Sequence, residues 1–278
     1  PTRTELTPTA RVQTEVPPEN SWLAGDGTLV LDFGKAAFGT LLVPPPGKSG
    51  RDRAVVHLGE QCDAAGRLER SPAGSIRYLR VEQPLGGQTG PARVAIPPDE
   101  RNTGPGAIRM PAEVGEVFPF RYAEVENGAA FAAADFRQVR VHYPFDDEAS
   151  SFSSPDRVLN AVWELCKHTT KATTFCGVYV DGDRERIPYE GDAYLNQLSH
   201  YGVDREYAVA RRTHEYLLRN PTWATDWQMH SVMMAWADYL YTGDTDSIAH
   251  YYEELKAKTL LALAREDGLM ITRTGLVT

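Results

Sequence analysis

Hydrophobic and polar positions follow two different rhythms along this chain. Up to about residue 147, short runs alternate apolar and polar residues or are rich in β-branched and aromatic types: Thr28–Phe33, Thr40–Val43, Ala54–Leu58, Ile76–Val81, Val117–Val125 and Phe136–Tyr143. Gly/Pro/Asp clusters separate them, among them Pro44-Pro45-Pro46-Gly47, Asp63-Ala64-Ala65-Gly66 and Gly86-Gly87. Many short strands with punctuated turns predict a β-sandwich over residues 1–147. The stretch Gly87–Gly115 has little pattern and reads as a long loop.

From residue 148 to 278 the period becomes helical. Ser153-Ser154-Pro155-Asp156 has the signature of a helix start, with a Ser cap, Pro at the first helical position and an acid in the first turn. Leu159, Val162 and Cys166 recur at helical spacing, and Val158, Ala161 and Leu165 widen the stripe. Further helices are predicted at about 191–201, 204–219, 226–241 and 245–265. Asp204 and Asp226 serve as caps, and Asn220-Pro221 and Gly243 as stops. Proline follows the same division, since 16 of the 19 lie at or before Pro144.

Composition then removes whole classes of function. The 278 residues carry 29 basic and 38 acidic side chains, a net charge of −9 without a Lys/Arg block, which argues against an electrostatic nucleic-acid binder. No apolar run approaches the ~20 residues that span a bilayer, so no membrane partner is expected. Cys62, Cys166 and Cys176 form no C-x-x-C pair and read as small buried residues; the seven histidines show no metal-binding spacing. No G-x-S-x-G elbow or phosphate loop occurs. Pro1 in place of Met implies a processed or cut chain whose address is lost; a secreted or periplasmic setting is favoured over the cytoplasm.

One segment carries chemistry. Between Asp181 and Asp192 lie five carboxylates (Asp181, Asp183, Glu185, Glu190, Asp192) and two arginines (Arg184, Arg186). Asp181, Asp183 and Glu185 are spaced by two, so an extended backbone would place them on one side and the arginines on the other. Pro188 prevents a helix through the segment, making it a loop that feeds a helix near Gly191. Three readings compete. The plainest is a solvated loop with weak ion pairs. A calcium loop matches at positions one, three, five and twelve, but Arg186 stands where that motif needs Gly. The third is glycoside hydrolysis, which needs one carboxylic acid to protonate the leaving oxygen and a second carboxylate across the sugar. Tyr179, Tyr189, Tyr194, Trp223 and Trp227 offer flat surfaces for sugar rings, although such side chains more often pack in a core. His200 and His230 flank the same region.

Asp183-Arg184-Glu185-Arg186 followed by Glu190-Gly191-Asp192-Ala193 resembles the helical catalytic domain of family 78 glycoside hydrolases, the α-L-rhamnosidases, whose pattern here is D-x-P-x-R-D-E-R-x-x-W-T-G-D-A. Leu31–Leu42 resembles the opening strand pair of that family's sandwich, Phe118–Glu126 its closing strand and Phe152–Leu165 its linker and first helix. The resemblance implies a fold of β-sandwich plus part of an (α/α)6 barrel and an inverting exo-hydrolase releasing terminal α-L-rhamnose from a plant or algal glycan. It makes Glu185 the general acid and leaves Asp181, Asp183, Arg186, Tyr189, Asp192, Trp223 and Trp227 to bind substrate, with neither metal nor organic cofactor. Twelve helices need roughly 200 residues, more than residues 151–278 hold, so the base, a Glu, is expected beyond this chain. Further polypeptide is then expected to pack against helices 204–219 and 245–265.

The departures from the pattern are specific. The D-x-P is absent at matching spacing, Asp183-Arg184 reverses the usual R-D, and Tyr189 and Glu190 replace Trp and Thr. They suggest a divergent subgroup acting on rhamnose linked to a uronic acid, with Arg184 facing the uronate carboxylate. Two rivals remain: a non-catalytic carbohydrate-binding protein on the same scaffold and a helical-toroid polysaccharide lyase.

Overall fold

The computed structural model describes residues 11–45, 52–86 and 89–271. The Pro46-Gly47 end of one turn, Gly87 and the unpatterned end Gly275–Thr278 fall outside them. The chain divides into two compact units. Residues 11–142 and 183–185 form one; residues 143–182 and 186 onward form the other.

The strand-rich unit holds, among the described residues, eight strands: β1 (Val12–Val16), β2 (Asn20–Leu23), β3 (Leu29–Val43), β4 (Arg53–Gly59), β5 (Tyr78–Pro84), β6 (Ala92–Arg93), β7 (Phe118–Val125) and β8 (Arg137–His142). All pairings are antiparallel, in the order β1-β8-β3-β7-β4-β5, with β2 and β6 also on β3. The two runs expected at 28–33 and 40–43 are one strand. Between Asp32 and Ala37 the β3–β7 register shifts, and Gly34 takes φ 75°. The Asp32 carboxylate caps this bulge by accepting the Gly34 N–H at 2.8 Å and the Arg121 guanidinium at 2.7 and 2.8 Å. The bulge bends the strand without ending it, so its first half pairs with β2 and its second with β8 and β6. Leu31, Phe33, Leu41, Val56, Leu58, Phe120, Ala123 and Phe136 fill the core, each fully buried. β1 and β2 have no counterpart in the sequence reading, because their side chains are half-exposed and show no apolar alternation.

The other unit is helical: α1 (Arg157–Ala172), α2 (Glu190–Tyr201), α3 (Ala208–Arg219), α4 (His230–Thr242), α5 (Asp246–His250) and α6 (Tyr252–Lys258). No helix among the described residues is long and apolar enough to cross a membrane. Several starts differ from expectation. Asp156, not a serine, caps α1 through its carboxylate to the Val158 N–H at 2.8 Å, so Pro155 lies outside the helix. α3 starts at Ala208 because Glu206, not Asp204, takes the free amides of Ala208 and Val209. Asp226 begins a 3-10 turn (Asp226–Met229) and makes no side-chain cap. The helix expected over 245–265 breaks at Tyr251 and ends in a 3-10 turn at Leu261–Leu263.

The apolar stripe of α1 is bare within this chain. Val158, Leu159, Val162 and Leu165 are exposed, as is Cys166, while Lys167 is buried, donating to the Asp147 and Ser150 carbonyls. Trp236 and Leu240 on α4 and Leu195 on α2 are exposed too. On α3, by contrast, Val209, Ala210 and Leu217 are covered within the unit. The bare apolar surface therefore lies on α1, α2 and α4 and, within the 245–265 stretch, at Tyr252 and Leu261, but not on α3.

Candidate active-site segment

The loop between Phe175 and Glu190 is fixed from both ends. At its start, Phe175 through Val180 are buried, with Gly177 at φ 73°. Thr213 on α3 accepts the Tyr179 N–H at 2.9 Å. The Tyr179 hydroxyl bonds His200 Nδ1 at 2.7 Å, and His200 Nε2 meets Asp204 at 3.2 Å. His200 is completely buried in this relay, stacked under Phe145, so it has no surface with which to reach a sugar. Burial alone would raise the Asp204 carboxyl; His200 and the Arg205 and Asp146 amides overcome it and hold it below the usual carboxylate range.

At its end, the loop becomes α2 at Glu190, one residue before the expected Gly191. The Glu190 carboxylate is fully buried, accepting the Thr222 N–H at 3.1 Å and the Thr222 hydroxyl. This clamps the turn that carries the two tryptophans. Trp223, 62% exposed, lies 5.6 Å from Trp227, and the Tyr189 ring meets Trp227 edge-on at 5.9 Å. Gly191 passes close under this group, where an added Cβ would stand 3.9 Å from His230 and 4.0 Å from Trp227. Asp192 is exposed on the first turn of α2. Tyr189, Trp223, Trp227 and Asp192 thus belong to one part of the helical unit.

The middle of the loop does not alternate as an extended strand would. Gly182 at φ 90° and Arg186 at φ 55° turn the backbone. Arg186 is 1% exposed, with its guanidinium 5.4 Å from the Phe175 ring centre, so the two arginines do not share a face. A non-glycine residue at positive φ costs on the order of 1 kcal/mol and persists only where surrounding packing enforces it. Asp181 is half-buried.

Asp183 and Glu185 group with the strand-rich unit. Asp183 is buried: Asn102 donates to it at 2.7 Å, and Arg77 forms an ion pair with it. Arg77 is itself buried against the Phe118 ring at 5.1 Å; it also pairs with Asp99, and its backbone N–H donates to Glu60 at 2.7 Å. Burial raises the Glu60 carboxyl, opposed by the Arg77 amide and charge. Arg184 points outward and grips Glu185 with a fork at 2.5 and 3.0 Å. The reversed charge order thus has a physical account: the acid of the pair turns inward to a buried arginine, and the base turns outward. The Asp183 carboxylate is thus taken up inside the protein. Sequence reasoning missed Arg77, Asp99 and Asn102, which lie some eighty to a hundred residues earlier, two of them in the unpatterned loop. The reversed Asp183-Arg184 order was the one trace of them in the motif.

Residues 147–276 match the family model of the bacterial alpha-L-rhamnosidase 6 hairpin glycosidase domain. The match covers 130 of the 278 residues. Among solved structures it is similar to the α-L-rhamnosidase of Dictyoglumus thermophilum (TM-score 0.67, 18% identity, 91% of this chain and 29% of that one). It is also similar to the rhamnosidase of Klebsiella oxytoca with rhamnose bound (0.60, 15%, 96% and 60%) and to the family 78 rhamnosidase of Bacillus sp. GL1 (0.57, 17%, 96% and 27%). At these identities the likeness is one of fold. The chain spans between 27% and 60% of the length of these three proteins. No curated protein matches the sequence.

Proposed function

We propose that this chain is the acid-bearing part of an inverting exo-hydrolase that releases terminal α-L-rhamnose. The observation that carries the reading is the Glu185-Arg186 pair seven residues before Asp192, inside the segment that matches the rhamnosidase domain. Glu185 protonates the glycosidic oxygen as the bond to rhamnose breaks. A second carboxylate, supplied beyond residue 278, activates water on the opposite face; inversion sets the two carboxyls ~6.5–9.5 Å apart. Asp181 and Asp192 bind sugar hydroxyls, and Tyr189, Trp223 and Trp227 form the apolar wall. Arg186, with almost no exposed surface, holds the loop from inside.

The Arg184 fork occupies both oxygens of Glu185. A uronate on the substrate would compete for that guanidinium. Rhamnose linked to a uronic acid is therefore the preferred substrate class. In the same reading the β3 bulge is the corner at which the sheet folds over into a sandwich, and the helices are the first of an (α/α)6 barrel. The exposed apolar side chains of α1, α2 and α4 are covered by the further polypeptide that completes it.

The test is Glu185→Gln in the full-length protein on an unactivated rhamnoside. A loss of at least about 100-fold in turnover is expected; unchanged turnover rejects the hydrolase reading. Equal activity of Arg184→Ala on neutral and uronate-linked substrates rejects the uronate preference alone.

A further inference from the structure

We infer that Arg77 and Asn102 are positioning residues for the acid, built into the strand-rich unit rather than the helical one. The inference rests on the assignment of Glu185 above. Asp183 stands two residues before Glu185 and is 9% exposed; both its carboxylate oxygens are engaged, one by Asn102 Nδ2 at 2.7 Å and the other by Arg77. Arg77 also donates to the Asp183 carbonyl at 3.3 Å, so it fixes backbone as well as side chain. Arg77 in turn cannot drift, because Asp99 holds its other terminal nitrogen and the Phe118 ring lies against the guanidinium. Asn102 is 2% exposed and closes a 3-10 turn whose cap is the same Asp99, through the Arg101 N–H at 2.9 Å. Asn102, from the loop before β7, and Arg77, on the approach to β5, thus converge on one carboxylate.

The consequence is geometric. Gly182 on one side and the left-handed Arg186 on the other leave residues 183–185 as a short bridge between two turns. With so little backbone, the place of Glu185 depends on where Asp183 is tied. A general acid acts only within hydrogen-bond reach of the leaving oxygen, and a displacement of about 1 Å costs on the order of 100-fold. Releasing Asp183 should therefore impair proton delivery more than sugar binding.

The experiment compares two α-L-rhamnosides in the full-length protein, one with a poor alcohol leaving group and one with a dinitrophenolate that departs without a proton. Asn102→Ala is expected to lower kcat on the poor leaving group on the order of tenfold and on the dinitrophenyl substrate less than twofold, with KM little changed. Arg77→Lys, which keeps a charge but not the fork, should behave in the same direction. Because Arg77 is buried, each variant is first checked for an unchanged melting temperature; Asn102→Asp with Asp183→Asn restores the hydrogen bond and should recover part of the loss. Equal losses on both substrates, or none, overturn the inference. Glu185→Gln is measured alongside. If it shows no dependence on leaving group, the assignment of the acid fails; if it shows a steep one and the anchor variants do not, the anchor fails by itself.

Discussion

The two units use their apolar residues in opposite ways. In the strand-rich unit the largest fully buried side chains are mostly Phe and Leu, and its central strand β3 is covered on both faces. In the helical unit the buried positions include Glu190, Gln197, His200, Asp204, Thr213, His214 and Asp238, tied together by hydrogen bonds, while leucines, valines and tryptophans face outward on α1, α2 and α4. A core of hydrocarbon tolerates acid but not a change of volume. A core of paired polar groups depends on every partner being kept in its ionisation state.

The largest effect that breaks this contrast is a volume change in the sheet. Phe120→Ala should cost about 3–5 kcal/mol, because a fully buried ring in edge contact with Phe33 at 5.9 Å leaves a cavity. Gly39→Ala should be of similar severity for the opposite reason, since a Cβ there would stand 2.0 Å from the Val139 carbonyl oxygen and two ladders would have to part. Urea midpoints measure both; a shift under about 1 kcal/mol for either would mean the sheet relaxes far more than its packing implies.

Acid should act on the helical unit first. His214 is buried, and loss of solvation lowers its imidazole to about 4, only partly offset by a hydrogen bond that the ring donates to the Ser231 backbone. The folded state therefore keeps it neutral while the unfolded chain takes up a proton near pH 6.5. Stability from this group is complete above about 6.5 and is lost as pH falls towards 4, about 3 kcal/mol in all. In the strand-rich unit Asp32 is held down by Arg121, with burial opposing, so its contribution survives until pH falls below the ordinary carboxylate range. His57 in that unit is also lowered by burial, but Glu126 at 2.9 Å opposes the shift. Hydrogen exchange read peptide by peptide at pH 7 and 4.5 should show α3 and α4 opening before β3 and β7. His214→Leu should flatten the difference, and an unchanged pH slope in that variant would remove His214 as the cause.

What the sequence disclosed follows the same line. Strands whose apolar residues alternate or run together, such as β4 and β7, were legible, and so were α2 and α4, ended by Gly202 and Gly243. β1 and β2 were not, because an edge strand with exposed side chains shows no alternation to read. The α1 stripe shows its period in the sequence but not its exposure, since periodicity reports that a face is apolar but not whether anything lies against it. At the candidate site the local carboxylate spacing was legible, whereas Arg77 and Asn102 were not; a buried ion pair formed across roughly a hundred residues leaves no period in the chain.

A smaller effect separates local from global structure. Asp156→Ala removes the side-chain acceptor of the Val158 N–H and should cost about 1 kcal/mol. The loss should fray the first turn of α1, visible as faster exchange at 157–160, and leave protection in β3 unaltered.

The smallest effect is the most pointed. Leu165 is 64% exposed, and Val158, Leu159 and Val162 share its face of α1. A side chain already in water gives up little when made polar, so Leu165→Ser should change the stability of the 278-residue chain by less than about 0.5 kcal/mol. If further polypeptide covers this face in the longer protein, the same substitution there buries a hydroxyl and removes an apolar contact, at about 2 kcal/mol or more. The difference between the two melting-temperature shifts is thus a direct reading of what lies on α1. A large gap would show that the helical unit completes its core with residues outside this chain; equal small shifts would leave its outward apolar side chains as true surface.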